Sequence, residues 1–571
     1  MSNEDPGAAD PAGPPEPTAS TSWVLVGAAA VAIAAFVAYF ALCICKLGWT
    51  GDFRVYVAGV RELYEHPFAP RHETLALPAS TSFAYTPYLY LAAGLGALLR
   101  LGPYGAMQAA ALVNLGLYTS GLLALFSRRW WGGGRNFVVV TAAFLLATLF
   151  VRNITYFLSS EVSADSWGYV VAYPSAFAWG LFLWTLVALE RVLELSERGT
   201  SARLRWLLLV ALGVWTTLVV HPLTGSWLFG IAGLRALLVI AAPAFVRTPA
   251  TRAQRRSAVV VVVVVVMAAA LTPLWPWLSF LQKGIVTARE GTALTEAPFA
   301  TFAALYVLAG LALVRRTVAG DGRVAWLLLG WGASGVVYVV LGFADIDYRA
   351  RYIFFMGFFA QVLVAWQLST DLGVLAALGR REGRRLAGAG ALVGVVAVAV
   401  AVGLQLPVVE GRLASPQLLW SKSDAAAAYA ADLEPLQPYL DSKSIVLFAD
   451  PRSAMRLTAA TGARSVFVTF AAHLEDNAQR RADVPRFFGR STSKASRAQI
   501  IDRWQATHAL IARPTDEKVQ DLAAVLGPPL FRNRNLALFS TERLAKKKPE
   551  QAKGKKKRSN PIEVQLRSGS K

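Results

Sequence analysis

An acidic residue stands shortly after the first long apolar segment of this chain. Asp52 follows the uncharged run that ends at Cys45, and the sequence continues as Phe53-Arg54-Val55-Tyr56. Partial desolvation at a segment end raises the pKa of a carboxyl group and suits it to accept a proton from a hydroxyl. The position also suits an N-cap, because Asp commonly precedes an amphipathic helix. The two roles are compatible.

A second set of polar residues could serve an acceptor or a metal. Glu161 and Asp165 lie four residues apart in the 152–168 loop, so they share one face if the loop is helical. The alternative is a solvated loop. His221 interrupts apolar sequence before Pro222, and ionisable groups at membrane depth tend to be functional. Its alternative role is a neutral histidine hydrogen-bonded at a helix end.

A third set could bind phosphate. Arg349 and Arg351 precede an apolar segment, and the planar guanidinium fork matches a phosphate group. The alternative is a solvated cluster in which they pair with Asp345 and Asp347. Lys283 is a further candidate for the same role.

The elements that position these residues are predicted to be membrane helices. Hydrophobic residues make up 55% of the 571 and charged residues 16%, whereas soluble domains are about 25% charged. A span needs about 20 apolar residues. We predict about eleven spans, near 23–45, 105–126, 137–152, 170–189, 206–221, 224–243, 257–280, 298–314, 324–342, 352–370 and 386–406.

The charge of the short loops predicts the orientation. Arginine clusters recur after every second span, so they share one side, which the positive-inside rule makes the cytoplasm. The apolar segment Tyr85–Leu101 is short and contains two glycines, which favours a helix on the outer surface over a further span. The N-terminus is then cytoplasmic, and the first outer loop, 46–104, and the C-terminal region lie outside, in a plasma (inner) membrane protein.

The remaining segments differ in composition. Apolar runs at Ser444–Ala449 and Ser465–Phe470 read as buried strands, with a helix over Ser453–Thr461 between them. We therefore predict a transmembrane domain over 23–406 and a small extracytoplasmic α/β domain over 407–544. Residues 1–22 and the Lys-rich tail, 545–571, are disordered by composition.

The first outer loop resembles that of the GT-C glycosyltransferases. The carriers of the resemblance are Asp52 after the first span, Tyr56 four residues later, the Pro67-Phe68 pair and Tyr85-Thr86-Pro87 before the short helix. The resemblance is closest to the protein mannosyltransferase and arabinofuranosyltransferase group and is good over about 23–200. Many relatives have a second acid beside the first, whereas Phe53 follows Asp52 here.

The resemblance implies a function and a set of roles. Such an enzyme moves a sugar from a polyprenyl-phosphate carrier to a cell-envelope glycan, lipid or protein acceptor. Asp52 would be catalytic, with Tyr56 and Tyr85 as aromatic residues of the substrate loop. Glu161, Asp165 and His221 would bind acceptor or a divalent metal, and Arg349, Arg351 and Lys283 the carrier phosphate.

Two other classes of membrane protein are alternatives to a glycosyltransferase. A transporter or flippase favours internal repeats, which the sequence lacks, and a glycan ligase-like protein would use the same Arg and His residues. The net charge of +21 arises from basic residues that flank apolar segments, so it does not indicate nucleic-acid binding. With two cysteines, Cys43 and Cys45, a disulfide scaffold is excluded.

Overall fold

The computed structural model of the protein describes most of residues 23–545. Its longer gaps are at 149–166, 242–249, 277–297, 344–351, 379–390, 397–431 and 469–475, and 1–22 and 546–571 lie outside the described residues. Five predicted site residues lie outside the described residues: Glu161, Asp165, Lys283, Arg349 and Arg351.

The chain divides into two compact units. The first comprises Met1–Pro435 with Met455–Gly462, and the second comprises Leu436–Ala454 with Ala463–Lys571. The described helices of the first unit are α1 (Trp23–Cys45), α2 (Phe53–Glu65), α3 (Pro87–Leu98), α4 (Pro103–Phe126), α5 (Phe137–Ala147), α6 (Pro174–Glu194), α7 (Thr200–Val220), α8 (Pro222–Ala241), α9 (Arg252–Ala270), α10 (Pro298–Val318), α11 (Arg323–Phe343), α12 (Tyr352–Leu378) and α13 (Ala454–Thr461).

Seven helices within the described residues are long and apolar enough to cross a membrane. They are α1, α4, α6, α7, α8, α9 and α12, and each overlaps a predicted span. The predicted class, a polytopic helical membrane protein with a small C-terminal sheet, is confirmed. The count of about eleven spans stays a prediction, because most of 386–406 lies outside the described residues.

Helix α3 occupies the segment predicted to lie on the membrane surface. It has 12 residues and begins at Pro87, whose fixed φ suits the first turn. Twelve residues rise about 18 Å, well short of the roughly 30 Å hydrocarbon core. The observed length therefore agrees with a helix that does not cross.

Small residues allow the transmembrane helices to pack closely. A Cβ atom on Gly180 of α6 would lie 2.8 Å from the Leu117 Cβ of α4, and one on Gly121 would lie 2.9 Å from the Leu183 Cβ. Such close approach gains van der Waals contact where lipid removes the hydrophobic drive between helices. This close approach packs α4 directly against α6.

The ends predicted to be cytoplasmic meet on one face of the first unit. Arg128, after α4, lies 3.3 Å (Nη1–Oε2) from Glu194 at the end of α6. Arg203 of α7 donates a hydrogen bond of 3.0 Å to Ser257 near the start of α9. The ends of α4 and α6 therefore share one side, and so do the starts of α7 and α9, as the alternation of arginine clusters predicts.

The second unit is a mixed α/β structure. Its strands and helices are β1 (Ile445–Phe448), β2 (Arg464–Ser465), α14 (Asn477–Phe488), α15 (Lys494–Trp504), β3 (His508–Ala512), α16 (Asp516–Leu526), β4 (Phe531–Arg532), β5 (Leu536–Ser540) and α17 (Glu542–Ala545). The sheet order is β2-β1-β3-β5-β4. β2, β1 and β3 run parallel, and β5 is antiparallel to β3 and β4.

Candidate active site

Asp52 is the N-cap residue of α2. Its carbonyl accepts hydrogen bonds from the N–H groups of Val55 (2.9 Å) and Tyr56 (3.2 Å), which start the helix. Its carboxylate makes no capping hydrogen bond, and the residue is exposed. The predicted N-cap position is therefore occupied without use of the carboxylate. The partial desolvation expected from the sequence is not observed, because Asp52 is exposed.

Tyr173, the residue before α6, contacts the backbone at Asp52. The backbone N–H groups of Asp52 and Phe53 hydrogen-bond to its hydroxyl. The Tyr173 side chain is half-buried. The ring also packs edge-on against Tyr56, with centroids 5.4 Å apart. Tyr173 thus fixes the backbone that presents Asp52.

Two buried polar side chains hold the segment before Tyr173. The Asn114 amide of α4 donates to the Val171 carbonyl at 2.7 Å. The Tyr88 hydroxyl of α3 donates to the Ala172 carbonyl at 2.7 Å and accepts from Asn114 at 3.2 Å. Asn114 and Tyr88 are fully buried, so these bonds replace water that the backbone cannot reach. Helices α3 and α4 therefore position Tyr173, and through it Asp52.

Trp167 marks the end of the gap that contains Glu161 and Asp165. Its buried ring packs against the rings of Tyr118 in α4 and Phe40 in α1, with centroid distances of 4.4 Å and 5.9 Å. The described chain therefore resumes against α1 and α4. Asp165 is two residues upstream in the sequence.

The predicted substrate-loop aromatics, Tyr56 and Tyr85, are buried. The Tyr85 hydroxyl donates to the Arg71 carbonyl. The Tyr85 carbonyl accepts a hydrogen bond of 2.9 Å from the indole of Trp275, which follows α9. In the described structure Tyr56 packs against Tyr173, whereas Tyr85 links the Arg71 backbone to Trp275.

His221 lies at the junction of α7 and α8. Its Nδ1 is 2.8 Å from the Thr224 Oγ1 and accepts a hydrogen bond of 3.4 Å from the Thr224 N–H. These contacts match the alternative considered for it, a histidine hydrogen-bonded at a helix end beside a proline. A ligand role for His221 stays a prediction.

One group of described residues has the composition of a metal site. Ligand atoms of Glu62, Glu65 and His66 all lie within 4.8 Å of one another. However, the Arg71 guanidinium binds both carboxylate oxygens of Glu62, at 3.0 and 3.3 Å. A cation at Glu62 would have to displace this paired arginine, at a cost in charge pairing. The observed arrangement of Glu62, Glu65 and His66 therefore does not fit a resident ion.

Tyr173 and Asn114 were not among the site residues predicted from the sequence. Asn114 had a visible signal, since it is a polar residue within an otherwise apolar predicted span. Tyr173 had a weaker one, an aromatic residue before Pro174. Its partner, Asp52, is distant in sequence, so only the fold reveals the contact.

No protein-family profile matches the sequence, and no curated protein matches it. Several solved structures match this chain. The cryo-EM structure of arabinofuranosyltransferase AftD from Mycobacteria matches with a TM-score of 0.52 and 15% identity, over 90% of this chain and 40% of that one. ArnT from Cupriavidus metallidurans, bound to undecaprenyl phosphate, matches with a TM-score of 0.49 and 13% identity, over 91% and 97%.

The Archaeoglobus fulgidus oligosaccharyltransferase, tethered to an acceptor peptide with an NVT sequon, matches with a TM-score of 0.47 and 10% identity, over 87% of this chain and 71% of that one. At these identities the likeness concerns the fold, and the TM-score of the arabinofuranosyltransferase exceeds 0.5. This chain therefore shares a fold with that protein, which bears the name of one of the groups that the motif of its first outer loop resembles.

Proposed function

We propose that this protein transfers a sugar from a polyprenyl-phosphate carrier to an acceptor at the outer face of the membrane. The observation that carries the proposal is the position of Asp52. It stands at the exposed start of α2, its carboxylate is not used for capping, and the half-buried Tyr173 holds its backbone. The fold shared with the arabinofuranosyltransferase supports the reaction class.

Asp52 acts as the general base in this proposal. Its carboxylate accepts the proton of an acceptor hydroxyl, and the hydroxyl oxygen attacks the anomeric carbon of the bound sugar. The bond between that carbon and the phosphate oxygen breaks, and the polyprenyl phosphate leaves in the bilayer. Because one displacement occurs, the configuration at the anomeric carbon inverts.

The other predicted site residues complete the proposal. Arg349, Arg351 and Lys283 bind the carrier phosphate, as the guanidinium and ammonium groups suit. Glu161 and Asp165 approach the acceptor from the loop that ends before Trp167, and His221 contributes from the start of α8. The N-terminus is cytoplasmic and the α/β unit extracytoplasmic, in the plasma (inner) membrane.

A donor panel tests the reaction class. The purified full-length protein, reconstituted in lipid, is given radiolabelled polyprenyl-phosphate monosaccharides with cell-envelope acceptors. We expect transfer from a lipid-linked monosaccharide, with inversion, and with free polyprenyl phosphate as the second product. Transfer only of a lipid-linked polymer would instead indicate a ligase, and carrier translocation without transfer would indicate a flippase.

The same assay tests the metal. Asp52 needs no ion in the step above, so we expect activity to survive chelation by EDTA. Loss of transfer on chelation, restored by a divalent cation, would require a ligand set that includes Asp52 or the acids at 161 and 165.

A further inference from the structure

A groove lies between α2 and α3, away from the Asp52 end of α2. Its volume is about 480 Å³, within the range of small-ligand sites. The lining is apolar and small along α3, at Ala93, Gly94, Gly96 and Ala97. Arg100 is the only charged residue of the lining that the structure describes.

The polar atoms of the groove walls are already engaged. The Tyr64 hydroxyl donates to the Leu101 carbonyl at 3.0 Å, and the Tyr90 hydroxyl donates to the Pro67 carbonyl at 3.0 Å. The surface left for a ligand is therefore hydrocarbon, with one cation at its end. Among the described residues, the Arg100 guanidinium has no hydrogen-bond or ion-pair partner.

The backbone at Arg100 is unusual. The Leu101 N–H donates to the Gly96 carbonyl and the Arg100 N–H to the Ala97 carbonyl, which is the Schellman pattern of helix ends. Arg100 occupies the left-handed position with φ of 55°, where glycine is usual. A side chain kept where glycine would be easier is expected to have a role of its own.

The groove is flanked in sequence by exposed apolar side chains. Leu98 is 78% exposed and Phe68, next to Pro67, is 93% exposed. Leu98 ends a helix too short to cross, and exposed apolar residues of such a helix are typical of contact with the acyl boundary of a bilayer. The groove therefore opens where lipid is the neighbouring molecule.

We propose that this groove binds one anionic phospholipid of the bilayer, with an acyl chain along the small residues of α3 and its phosphate on Arg100. The charge of the site selects the anionic headgroup. The phosphate of the reacting carrier is too far away to bind in this groove. Tyr64, which lines the groove, is twelve residues after Asp52, about 18 Å along α2. The carrier phosphate must lie beside the sugar carbon that Asp52 serves.

Native mass spectrometry of the full-length protein tests this with phosphatidylglycerol and, for comparison, phosphatidylcholine. Gly94→Leu fills the groove, because a Cβ at Gly94 meets open space. Its matched control is Gly116→Leu on α4, where a Cβ also meets open space. We expect the affinity for phosphatidylglycerol to fall at least about fivefold in Gly94→Leu and to be unchanged in Gly116→Leu.

Arg100→Gly separates lipid binding from stability. Glycine relieves the left-handed strain, so we expect an unfolding temperature no lower than that of the wild type. The affinity for phosphatidylglycerol should nevertheless fall about tenfold, while Arg252→Gln, an exposed arginine at the start of α9, should not change it.

Three results would overturn the proposal. They are unchanged phosphatidylglycerol binding in both groove variants, equal binding of phosphatidylcholine and phosphatidylglycerol by the wild type, and displacement of phosphatidylglycerol by polyprenyl phosphate at lower concentration. None of these bears on sugar transfer, so the proposed function stands or falls separately.

Discussion

The hydroxyl of Tyr173 is hydrogen-bonded to the backbone at Asp52, although the two residues belong to segments far apart in the sequence. This contact joins the start of α6 to the start of α2. It gives an exposed carboxylate a fixed backbone, which is the condition that a positioned general base requires. The site is thus assembled by helix ends.

Removal of the Tyr173 hydroxyl should impair the orientation of Asp52. In Tyr173→Phe the backbone N–H groups of Asp52 and Phe53 lose their partner, which costs about 1–3 kcal/mol. We expect kcat for sugar transfer to fall roughly tenfold with little change in KM for the donor. Tyr306→Phe, at a half-buried tyrosine of α10, is the control. Equal losses in both variants would remove the special role of Tyr173.

Asn114 should be required for the stability of the Tyr173 segment. Asn114→Leu keeps the volume but leaves the Val171 carbonyl without its donor, so unfolding should become easier by about 1–3 kcal/mol. Thermal unfolding in detergent measures the effect. Ser120→Ala, on the same helix at an exposed site, should shift stability by less than about 0.5 kcal/mol. A silent Asn114→Leu would contradict the described network.

A buried ion pair joins α6 to α8. Arg235 binds Glu190 through two hydrogen bonds, at 2.7 and 3.0 Å. Arg235→Met should destabilise the protein by about 3–5 kcal/mol, because it leaves a buried carboxylate alone, whereas Arg235→Met with Glu190→Leu should recover most of that loss. Arg191→Met, from an exposed pair with Glu194, should cost at most about 1 kcal/mol. Failure of the double variant to recover would show that the pair is needed for more than mutual compensation.

The second unit should lose stability in mild acid through His508. Burial lowers the pKa of His508, and the charges of Asp441 and Glu542 oppose this only in part. The folded state therefore binds fewer protons than the unfolded state, so stability falls as pH drops through about 6.5, the ordinary histidine value. Hydrogen exchange of the β3 peptide at pH 7.5 and 5.5, corrected for intrinsic rates, measures this. His508→Gln should show a smaller acid effect, and an equal effect would assign it to other groups.

The sequence predicted the helical membrane class, the short helix before Leu101 and most of the described spans, because apolar length is a strong signal. It predicted the strand at Ser444–Ala449, observed as Ile445–Phe448. The strand expected over Ser465–Phe470 is described only as Arg464–Ser465. This strand, β2, lies at the edge of the sheet and pairs with β1 over two residues. Residues 469–475 lie outside the described residues.

Other elements had no clear periodic signal. Helix α14, Asn477–Phe488, is rich in charge and contains Pro485, so its sequence does not predict a helix. The structure shows its reason: buried Arg480 donates to the Val466 carbonyl and lies over the Trp504 ring. Tertiary partners thus override a weak local preference. The same applies to Arg235, a charged residue within a predicted span whose partner only the fold reveals.

The most direct test of the account is sugar transfer by Asp52→Asn beside the wild type, with carrier binding measured in both. Asparagine keeps the shape and the N-cap preference but cannot accept the proton. The account predicts that transfer falls by a factor on the order of 10²–10⁴, with the unfolding temperature and carrier affinity unchanged. Transfer at the wild-type rate by Asp52→Asn would contradict it and would move the base to the 152–168 loop or to His221.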